Sequence, residues 1–561
     1  MILLAAINSK FIHSNPAVYY LKAYAEKYKD EIHIEEYTIN QNIEEIIADI
    51  FEKSPDVLAF SCYIWNRCTV ERILREIPKI LPECRVILGG PEAGNDADSF
   101  LKDFDCVDAV IIGEGEKTFC ELCGYYVEGR GDLRDIRGLK LRDGFTAARE
   151  LLPMDDIPFF YSLWENEEGM GPFDNKIIYY ETSRGCPFRC SYCLSSIDRT
   201  VRLRSLEKVF GEIDFFLRKK VRQVKFVDRT FNCNKEHALQ IWKYIRDHDN
   251  NVTNFHFEIA ADLLTPEELS VISGMRPGLI QLEIGVQTTN PVTMEAVHRR
   301  CDMNKQKENI EKIRSFGNTH CHLDLIAGLP YEDIESFRKS FNDVYEMHPD
   351  QLQLGFLKVL KGTEISEFEK EFGIRAFSEP PYEVLSSGWL GYGDIIKLKK
   401  IEALVETYYN SGQFSVTLPR LAGKFESPFG FFEELADYFD RHGLFINQSA
   451  RIHKYKILLD FASERFPDKR ELFGELLTCD LYLRENMKNR PDFARDLTPY
   501  KKEIYSRKKN RNEHIEVFFY PVFKKEINMD ILSTRSAEPY FVLFDYDRRS
   551  ALDHNVFPVE V

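Results

Sequence analysis

Three cysteines within eight residues, Cys186, Cys190 and Cys193, constrain this chain more than any other feature. They follow the apolar run 177–180 and stand in the sequence Cys-Pro-Phe-Arg-Cys-Ser-Tyr-Cys. Cysteine thiolates are the usual ligands of iron–sulfur clusters, and most cubane clusters take four of them. A zinc site usually needs four ligands in paired sets, and no second pair stands nearby in the sequence. The spacing therefore predicts a 4Fe-4S cluster with one iron open to an exogenous ligand.

Length and composition limit the class of protein. At 561 residues the chain is too long for one ordinary domain, so about two to four are expected. A net charge of −17 argues against a general nucleic-acid binder. Thirteen cysteines in so long a chain do not form a disulfide framework, so a reducing, cytoplasmic setting is expected. No apolar run reaches the length that a bilayer requires, so no membrane contact is predicted.

Residues 1–125 alternate apolar runs with amphipathic stretches. This order predicts a parallel sheet that is covered on both faces, a doubly wound α/β domain. The strands are predicted at 2–7, 32–37, 57–62, 85–88 and 109–112, with helices near 16–29, 41–53, 67–80 and 95–103. In such sheets a ligand binds beyond the carboxyl ends of the strands. Glycines at these ends allow a close backbone approach, so one crevice is expected there.

The rest of the chain divides into three parts. Residues 126–175 mix Gly, Asp, Arg and Pro without a period and are predicted to be a connector. Residues 176–362 repeat strand and helix patterns, with strands expected at 177–183, 222–228, 253–260, 279–287, 318–327 and 352–359. Six such units predict a partial barrel with its chemistry at the carboxyl ends of the strands. Residues 363–561 are a mainly helical extension of unknown role, with late strands expected at 515–523 and 540–546.

The Cys-x3-Cys-x-aromatic-Cys spacing resembles the signature of the radical S-adenosylmethionine (radical SAM) superfamily. In that family S-adenosylmethionine chelates the open iron. The resemblance implies that cluster ligation falls to Cys186, Cys190 and Cys193. It also implies S-adenosylmethionine contacts at the aromatic residue of the motif and at the strand ends of the barrel, namely at Tyr192, Asp228, Glu258, Gly285, Gln287 and Ile326. Arg229 departs from the family pattern, because a second acid is common at that position.

The strand ends of the first domain resemble those of the cobalamin-binding domain that precedes the radical domain in one branch of the superfamily. The resemblance implies cobalamin contacts at Asn8, Ser9, Ser61, Cys62, Gly89, Gly90, Pro91, Gly113 and Glu114. The Asp-x-His-x-x-Gly motif that supplies a cobalt ligand in other cobalamin proteins is absent after the first strand. His13 lies close, but its spacing does not match, and it is interpreted as a surface or hydrogen-bonded histidine.

The resemblance implies a cobalamin-dependent radical SAM enzyme, most simply a methyltransferase. The cluster would cleave S-adenosylmethionine to a 5′-deoxyadenosyl radical, and an unactivated carbon of the substrate would then take a methyl group from methylcobalamin. An external electron donor such as flavodoxin or ferredoxin is implied. The substrate is expected to be a small molecule or a peptide rather than a nucleic acid.

Three alternatives stay open. The same cofactors could serve oxidation, ring contraction or cyclisation without methyl transfer. An RNA-modifying enzyme could use the basic stretch 484–511, where basic residues outnumber acidic ones ten to four, although such runs are most often solvated surface. A cobalamin-sensing regulator with a vestigial cluster is the third, and the intact cysteine motif argues against it.

Overall fold

The first part of the chain folds into an open seven-stranded sheet. The structure is a computed structural model that describes residues 1–446, 450–524 and 532–561. The strands of this sheet are β1 (Ile2–Asn8), β2 (Ile32–Thr38), β3 (Val57–Ser61), β4 (Arg85–Gly89), β5 (Val107–Ile111), β6 (Leu139–Leu141) and β7 (Gly144–Phe145). Their order is β2-β1-β3-β4-β5-β6-β7, and the first five run parallel. The order reverses between β1 and β3, which places a ligand crevice at their carboxyl ends.

Helices cover both faces of this sheet. They are α1 (Pro16–Tyr24), α2 (Ile43–Lys53), α3 (Arg67–Ile80), α4 (Pro91–Asn95), α5 (Ala97–Asp103) and α6 (Glu116–Glu128). Every residue of β1 is buried, as expected for a strand that packs against helices on both sides. The first part of the predicted connector differs from the expectation, because β6 pairs antiparallel with β5 and β7 pairs antiparallel with β6. Strands of three and two residues are too short to show a period in the sequence.

The second unit is a six-stranded parallel partial barrel. Its strands are β8 (Ile178–Tyr180), β11 (Gln223–Phe226), β12 (Asn254–Ile259), β13 (Ile280–Gln287), β14 (His320–Ala327) and β15 (Gln351–Phe356), in the order β15-β14-β13-β12-β11-β8. A short antiparallel pair, β9 (Ser183–Arg184) and β10 (Arg202–Leu203), flanks the cysteine loop. The outer layer consists of α7 (Leu206–Arg218), α8 (Lys235–Asp247), α9 (Pro266–Ser273), α10 (Pro291–Ala296), α11 (Met303–Phe316) and α12 (Ile334–Tyr345).

Side chains alternate along the barrel strands. In β13, Ile280, Leu282, Ile284 and Val286 are buried, whereas the residues between them are only half-buried. β14 repeats this pattern with half-buried residues at His320, His322, Asp324 and Ile326. Since successive side chains of a strand point to opposite faces, the apolar set packs under the helices and the polar set lines the concave side of the barrel.

The remaining residues form a mainly helical region with a small terminal sheet. Its helices are α13 (Glu364–Glu367), α14 (Tyr392–Leu404), α15 (Thr417–Ala422), α16 (Pro428–Arg441), α17 (Arg451–Arg465), α18 (Arg470–Arg484) and α19 (Lys501–Arg507), with a π-helical turn at Val405–Asn410. A two-stranded ribbon, β16 (Arg375–Ala376) and β17 (Val384–Ser386), precedes them. The terminal sheet contains β18 (Glu513–Phe518), β19 (Tyr540–Arg549) and β20 (Val556–Glu560).

The helical region packs directly on the barrel. Phe341 of α12 contacts Phe429 and Phe432 of α16, with ring centroids 5.5 and 5.8 Å apart. The predicted fold class is confirmed: an open α/β domain, a partial (β/α)6 barrel and a mainly helical extension. Among the described helices, none combines the length and the apolar character that a membrane span needs.

Candidate functional site

A cavity of about 800 Å³ opens at the carboxyl ends of β1, β3, β4 and β5. This is the crevice that the strand order predicts. Eight of the nine residues predicted to contact cobalamin line it: Asn8, Ser9, Ser61, Gly89, Gly90, Pro91, Gly113 and Glu114. The cavity is therefore built largely from the strand-end residues that the sequence singled out.

Cys62 is the exception among the predicted cobalamin contacts. Its side chain is fully buried on the other face of the sheet, where it packs with Phe60 and Val70. Its backbone carbonyl has a different role, because a Cβ atom at Gly90 would lie only 2.5 Å from the Cys62 oxygen. Gly90 also has a φ of +93°, a backbone conformation that residues other than glycine rarely adopt. A glycine is thus required where β4 leads into the cavity.

Two buried acceptors face the cavity without a partner. Asn15 donates a 2.8 Å hydrogen bond from Nδ2 to Ser61 Oγ, but its Oδ1 atom has no partner in the described structure. Glu116 likewise leaves Oε2 unsatisfied, and both residues line the cavity. Buried polar atoms are nearly always hydrogen-bonded, so these oxygens indicate a ligand that carries N–H or O–H donors. The amide side chains of a corrin ring meet this requirement, and the residues fit cobalamin.

The cavity continues to the cysteine loop of the barrel. Tyr179, Glu181, Arg184, Leu194 and Val227 line this side of it. Arg184 stands two residues before Cys186 and pairs with Glu116 at 2.6 Å and with Glu181 at 3.0 Å. One guanidinium therefore joins the cavity wall of the first domain to the start of the cysteine loop. The sequence-based predictions did not include a role for Arg184. Its position directly before Gly185 and Cys186 was the one signal that could have indicated such a role.

A second arginine reinforces this junction. Arg202 pairs with Glu114 through Nη2, and its Nη1 atom donates to Leu152 O at 2.5 Å. Burial alone would raise the pKa of Glu114, but the hydrogen bond from Arg202 and the charge of Arg184 outweigh it and lower that pKa. Glu114 therefore remains ionised at the cavity rim.

The three motif cysteines lie on one compact loop. The Cys193 N–H donates to Cys190 O at 3.0 Å, which closes a tight turn between these two residues, and the Cys186 N–H donates to Asp198 O. Cys186 Sγ lies 3.7 Å from Thr230 Oγ1, just beyond β11. In the described ranges no three His, Cys, Asp or Glu side chains converge on a single-ion site. In a cubane each thiolate binds a different iron, so the three cysteines need not converge on one point. Cluster ligation by these cysteines stays a prediction, and their placement on one loop is compatible with it.

Asp228 turns toward the cysteine loop. Its Oδ1 atom accepts hydrogen bonds from Thr182 Oγ1 at 2.6 Å and Ser183 Oγ at 2.5 Å, and its Oδ2 atom accepts from the Thr182 N–H at 3.1 Å. Burial raises the pKa of Asp228 to about 6, although these bonds favour the ionised form. The carboxylate thus fixes the segment that enters the loop. Its predicted contact with S-adenosylmethionine stays a prediction.

A charged cluster lies on the concave side of the barrel. Lys225 Nζ is 3.0 Å from Glu283 and 3.9 Å from Glu258, and His256 Nε2 is 3.0 Å from Glu283. Burial opposes ionisation of Glu283, but His256 and Lys225 outweigh it and lower its pKa to about 2. Glu258 has no such close partner, and burial and the charge of Glu283 raise its pKa.

Asp324 completes this cluster from the neighbouring strand. It pairs in register with Gly285, and its Oδ1 atom is buried without a partner in the described chain. Burial and the charges of Glu283 and Glu258 raise its pKa to about 8. At neutral pH this carboxyl is therefore mainly protonated and can donate a hydrogen bond to a ligand.

The remaining predicted S-adenosylmethionine contacts lie around the same end of the barrel. Gln287 has a φ of +71°, and its Oε1 atom is buried without a partner among the described residues. A Cβ atom at Gly285 would lie 2.3 Å from Gln287 Nε2, so the Gln287 side chain packs directly against this glycine. Tyr192 packs near Arg299, which donates to Gly285 O. Ile326 is half-buried on the concave side. None of the six predicted residues lines the 800 Å³ cavity. Their contacts with S-adenosylmethionine stay predictions.

His13 and Trp65 also line the cavity. The Nδ1 atom of His13 is 2.6 Å from Tyr179 Oη, so it is the hydrogen-bonded histidine that its spacing suggested. Burial, with the charges of Lys10 and Lys225, lowers its pKa. Trp65 stacks on Tyr63 at 4.4 Å and donates from Nε1 to Ile7 O. The cavity wall is therefore partly aromatic.

Comparison with known families agrees with this architecture. The B12 binding domain family matches residues 2–123, the radical SAM superfamily matches residues 180–344, and a family described as a protein of unknown function, DUF4080, matches residues 370–544. The chain therefore combines a B12-binding domain, a radical SAM domain and a DUF4080 region.

Individual relatives support the same assignment. The cobalamin-dependent radical SAM methyltransferase TokK of Streptomyces tokunonensis is 25% identical over 372 residues, which cover 61% of this chain and 52% of the relative. An uncharacterised methyltransferase of Pyrococcus horikoshii is 24% identical over 421 residues, with coverage of 72% and 86%. The chain thus spans only about half the length of the first of these relatives.

A solved structure shares the fold. The cobalamin-dependent S-adenosylmethionine radical enzyme OxsB, with aqua-cobalamin and S-adenosylmethionine bound, superposes with a TM-score of 0.58. The match covers 86% of this chain and 79% of OxsB at 14% sequence identity. The likeness therefore extends from the first domain through the barrel into the helical region, and it concerns the fold.

Proposed function

We propose that this chain is an enzyme that cleaves S-adenosylmethionine reductively and methylates an unactivated carbon of a small molecule or peptide. The main support is the junction at Arg184, which connects the cavity of the B12-binding domain to the start of the three-cysteine loop. A ligand in the cavity and a ligand on the barrel would face each other across this junction. A substrate held between them would meet both cofactors.

The cofactors supply the chemistry, and the chain supplies their placement. When bound, the cluster with S-adenosylmethionine supplies a hydrogen-abstracting radical, and the corrin supplies the methyl group. The chain's own groups bind and orient. Asp228 fixes the entry of the cysteine loop through Thr182 and Ser183. Protonated Asp324 offers a hydrogen bond on the concave side of the barrel, where S-adenosylmethionine is proposed to bind.

The proposal includes a reducing environment. An external one-electron donor such as flavodoxin or ferredoxin must deliver electrons to the cluster, and we place the enzyme in the cytoplasm. Thirteen cysteines, none of them in a disulfide within the described residues, are consistent with this placement.

Reconstitution tests the proposal. We expect the anaerobic protein, supplied with iron, sulfide and hydroxocobalamin and then desalted, to retain a cubane EPR signal and corrin absorption. Replacement of Cys186, Cys190 or Cys193 by Ala should abolish the cluster and S-adenosylmethionine cleavage and leave the corrin bands in place. Cys68→Ala is the matched control, because this exposed thiol lies in the first domain, far from the motif in sequence. Full cleavage by all three motif variants would refute the proposal.

Product analysis separates methyl transfer from its alternative. Methylation by this cofactor pair should yield 5′-deoxyadenosine and S-adenosylhomocysteine in equal amounts, because a second S-adenosylmethionine restores the methyl group of the corrin. Formation of 5′-deoxyadenosine with substrate consumption but without S-adenosylhomocysteine would instead establish a reaction without methyl transfer.

A further inference from the structure

Arg229 stands out among the charged residues at the domain junction. It directly follows Asp228 beyond β11, at the carboxyl end of the barrel where the proposed chemistry occurs. Its side chain is exposed, and no hydrogen bond or ion pair joins it to the described residues. By contrast, Arg184, Arg202 and Lys225 around the same junction are all paired with carboxylates. The Arg229 guanidinium is therefore available to a ligand.

The neighbours of Arg229 place it between the two cofactor regions. Val227, two residues earlier, lines the cavity of the first domain. Thr230, the next residue, lies 3.7 Å from the Cys186 thiol through its hydroxyl. The positive charge of Arg229 also acts on Tyr63 of the first domain and on Glu258 of the barrel. Arg229 therefore lies in sequence between a residue that lines the cavity and a residue that contacts the cysteine loop, and its charge acts on one residue of each domain.

Asp228 does not pair with Arg229. A carboxylate adjacent in sequence is a natural partner for an arginine, but the Asp228 oxygens instead accept hydrogen bonds from Thr182 and Ser183. Among the described residues, Glu258 forms an ion pair only with Lys225, at 3.9 Å. The local carboxylates therefore do not neutralise the guanidinium, which is left with its five N–H donors.

We propose that Arg229 binds an anionic group of the substrate, a carboxylate or a phosphate, and so orients the substrate between the two cofactors. This inference deepens the proposed function, on which it rests, by naming a substrate class. A guanidinium presents parallel N–H groups that match the paired oxygens of both anions. Arg229 would thus determine substrate specificity, because it would hold the anionic group of the substrate at a site separate from the carbon that reacts.

Anion binding can be measured without turnover. The wild-type protein, loaded with cluster and cobalamin and saturated with S-adenosylmethionine, is titrated with inorganic phosphate by phosphorus NMR and with acetate by proton saturation-transfer NMR. We expect saturable binding of at least one of them, and the two titrations distinguish a phosphate from a carboxylate substrate. Arg229→Gln should weaken this binding about tenfold or more, because a charge-assisted hydrogen bond is lost. Arg229→Lys should bind with an intermediate affinity, because it keeps the charge but loses the paired N–H groups.

Arg222→Gln provides the matched control. Arg222 is also exposed, and it precedes β11 at the opposite end of the same strand. Its replacement should leave anion binding unchanged and so exclude a general effect of net charge. Absence of saturable binding in the wild-type protein, or equal binding by Arg229→Gln, would overturn the inference.

One further measurement separates two uses of the guanidinium. Equilibrium dialysis of S-adenosylmethionine should give the same affinity, within about twofold, for the wild-type protein and Arg229→Gln. Loss of that affinity would show that Arg229 holds the carboxylate of S-adenosylmethionine, which would overturn the substrate assignment. An Arg229-dependent anion site in a protein that never cleaves S-adenosylmethionine would support the site and refute the enzymatic proposal alone.

Discussion

Glu332 shows how a buried carboxyl couples stability to pH. Its side chain is fully buried and accepts hydrogen bonds from Thr288 Oγ1 at 2.6 Å and Ser340 Oγ at 3.0 Å. Burial raises its pKa to about 7 despite these bonds. Between pH 4.5 and 7 the unfolded chain therefore loses a proton that the native state keeps, and stability falls as pH rises, by an upper limit of about 3 kcal/mol.

We expect Glu332→Gln to flatten this dependence. The amide keeps an acceptor for Thr288 and cannot ionise, so the urea midpoint should fall less between pH 5 and pH 8 than in the wild-type protein. Glu335→Gln serves as the control, because the Glu335 side chain is 71% exposed. An unchanged pH dependence in Glu332→Gln would show that other groups cause it.

Gly90 tests the wall of the cobalamin cavity. A methyl group at this position would meet Cys62 O at 2.5 Å, and the φ of +93° is unfavourable for alanine. We expect Gly90→Ala to destabilise the first domain by about 2 kcal/mol and to lose the corrin absorption after desalting. Gly211→Ala is the matched control, because Gly211 lies inside α7 and an added Cβ atom would meet nothing within 4 Å. Equal corrin retention by both variants would contradict the assignment.

At the scale of elements, the sequence predicted strands and their ends better than the contacts between them. The strand-end residues of the first sheet line one cavity, because parallel strands bring their carboxyl ends to one edge. The side chain of Cys62 could not be placed in this way, since a shift of one residue along a strand turns a side chain to the other face. Arg184 and Glu116 are far apart in sequence, and only the tertiary fold pairs them.

The Arg184 contact also predicts how the two elements stabilise each other. Arg184→Gln would leave Glu116 and Glu181 partly buried without their cation, and loss of one partner from a buried ion pair costs about 3–5 kcal/mol. We expect a lower thermal midpoint and a lower iron content after reconstitution. Arg134→Gln removes an ion pair with Asp143 in which the arginine is 68% exposed, and it should leave the thermal midpoint nearly unchanged, because exposed pairs contribute little to stability. Similar effects of both variants would argue against a coupling role for Arg184.

At the scale of the whole molecule, residues at and just beyond the end of the barrel region contact the first domain. Arg67 of α3 contacts Glu92 at 2.8 Å and Asp96 at 2.6 Å, while Lys361 pairs with Asp96. Tyr382 donates to Glu92 and accepts from Arg67 at 3.1 Å. These contacts span about 300 positions of sequence, so no local pattern could predict them. They hold the start of α4, immediately after the Gly89-Gly90 pair of the cavity.

Tyr382→Phe tests whether this network supports the cavity. The hydroxyl is buried, and its removal deprives Glu92 of a donor, which should cost about 1–2 kcal/mol. Because Glu92 follows the glycine pair, we also expect faster release of cobalamin, measured as loss of corrin absorption during dialysis. Tyr392→Phe, at a tyrosine that is 53% exposed, should change neither quantity. If Tyr382→Phe lowers the unfolding midpoint but releases cobalamin at the wild-type rate, the network stabilises the fold without controlling the cavity.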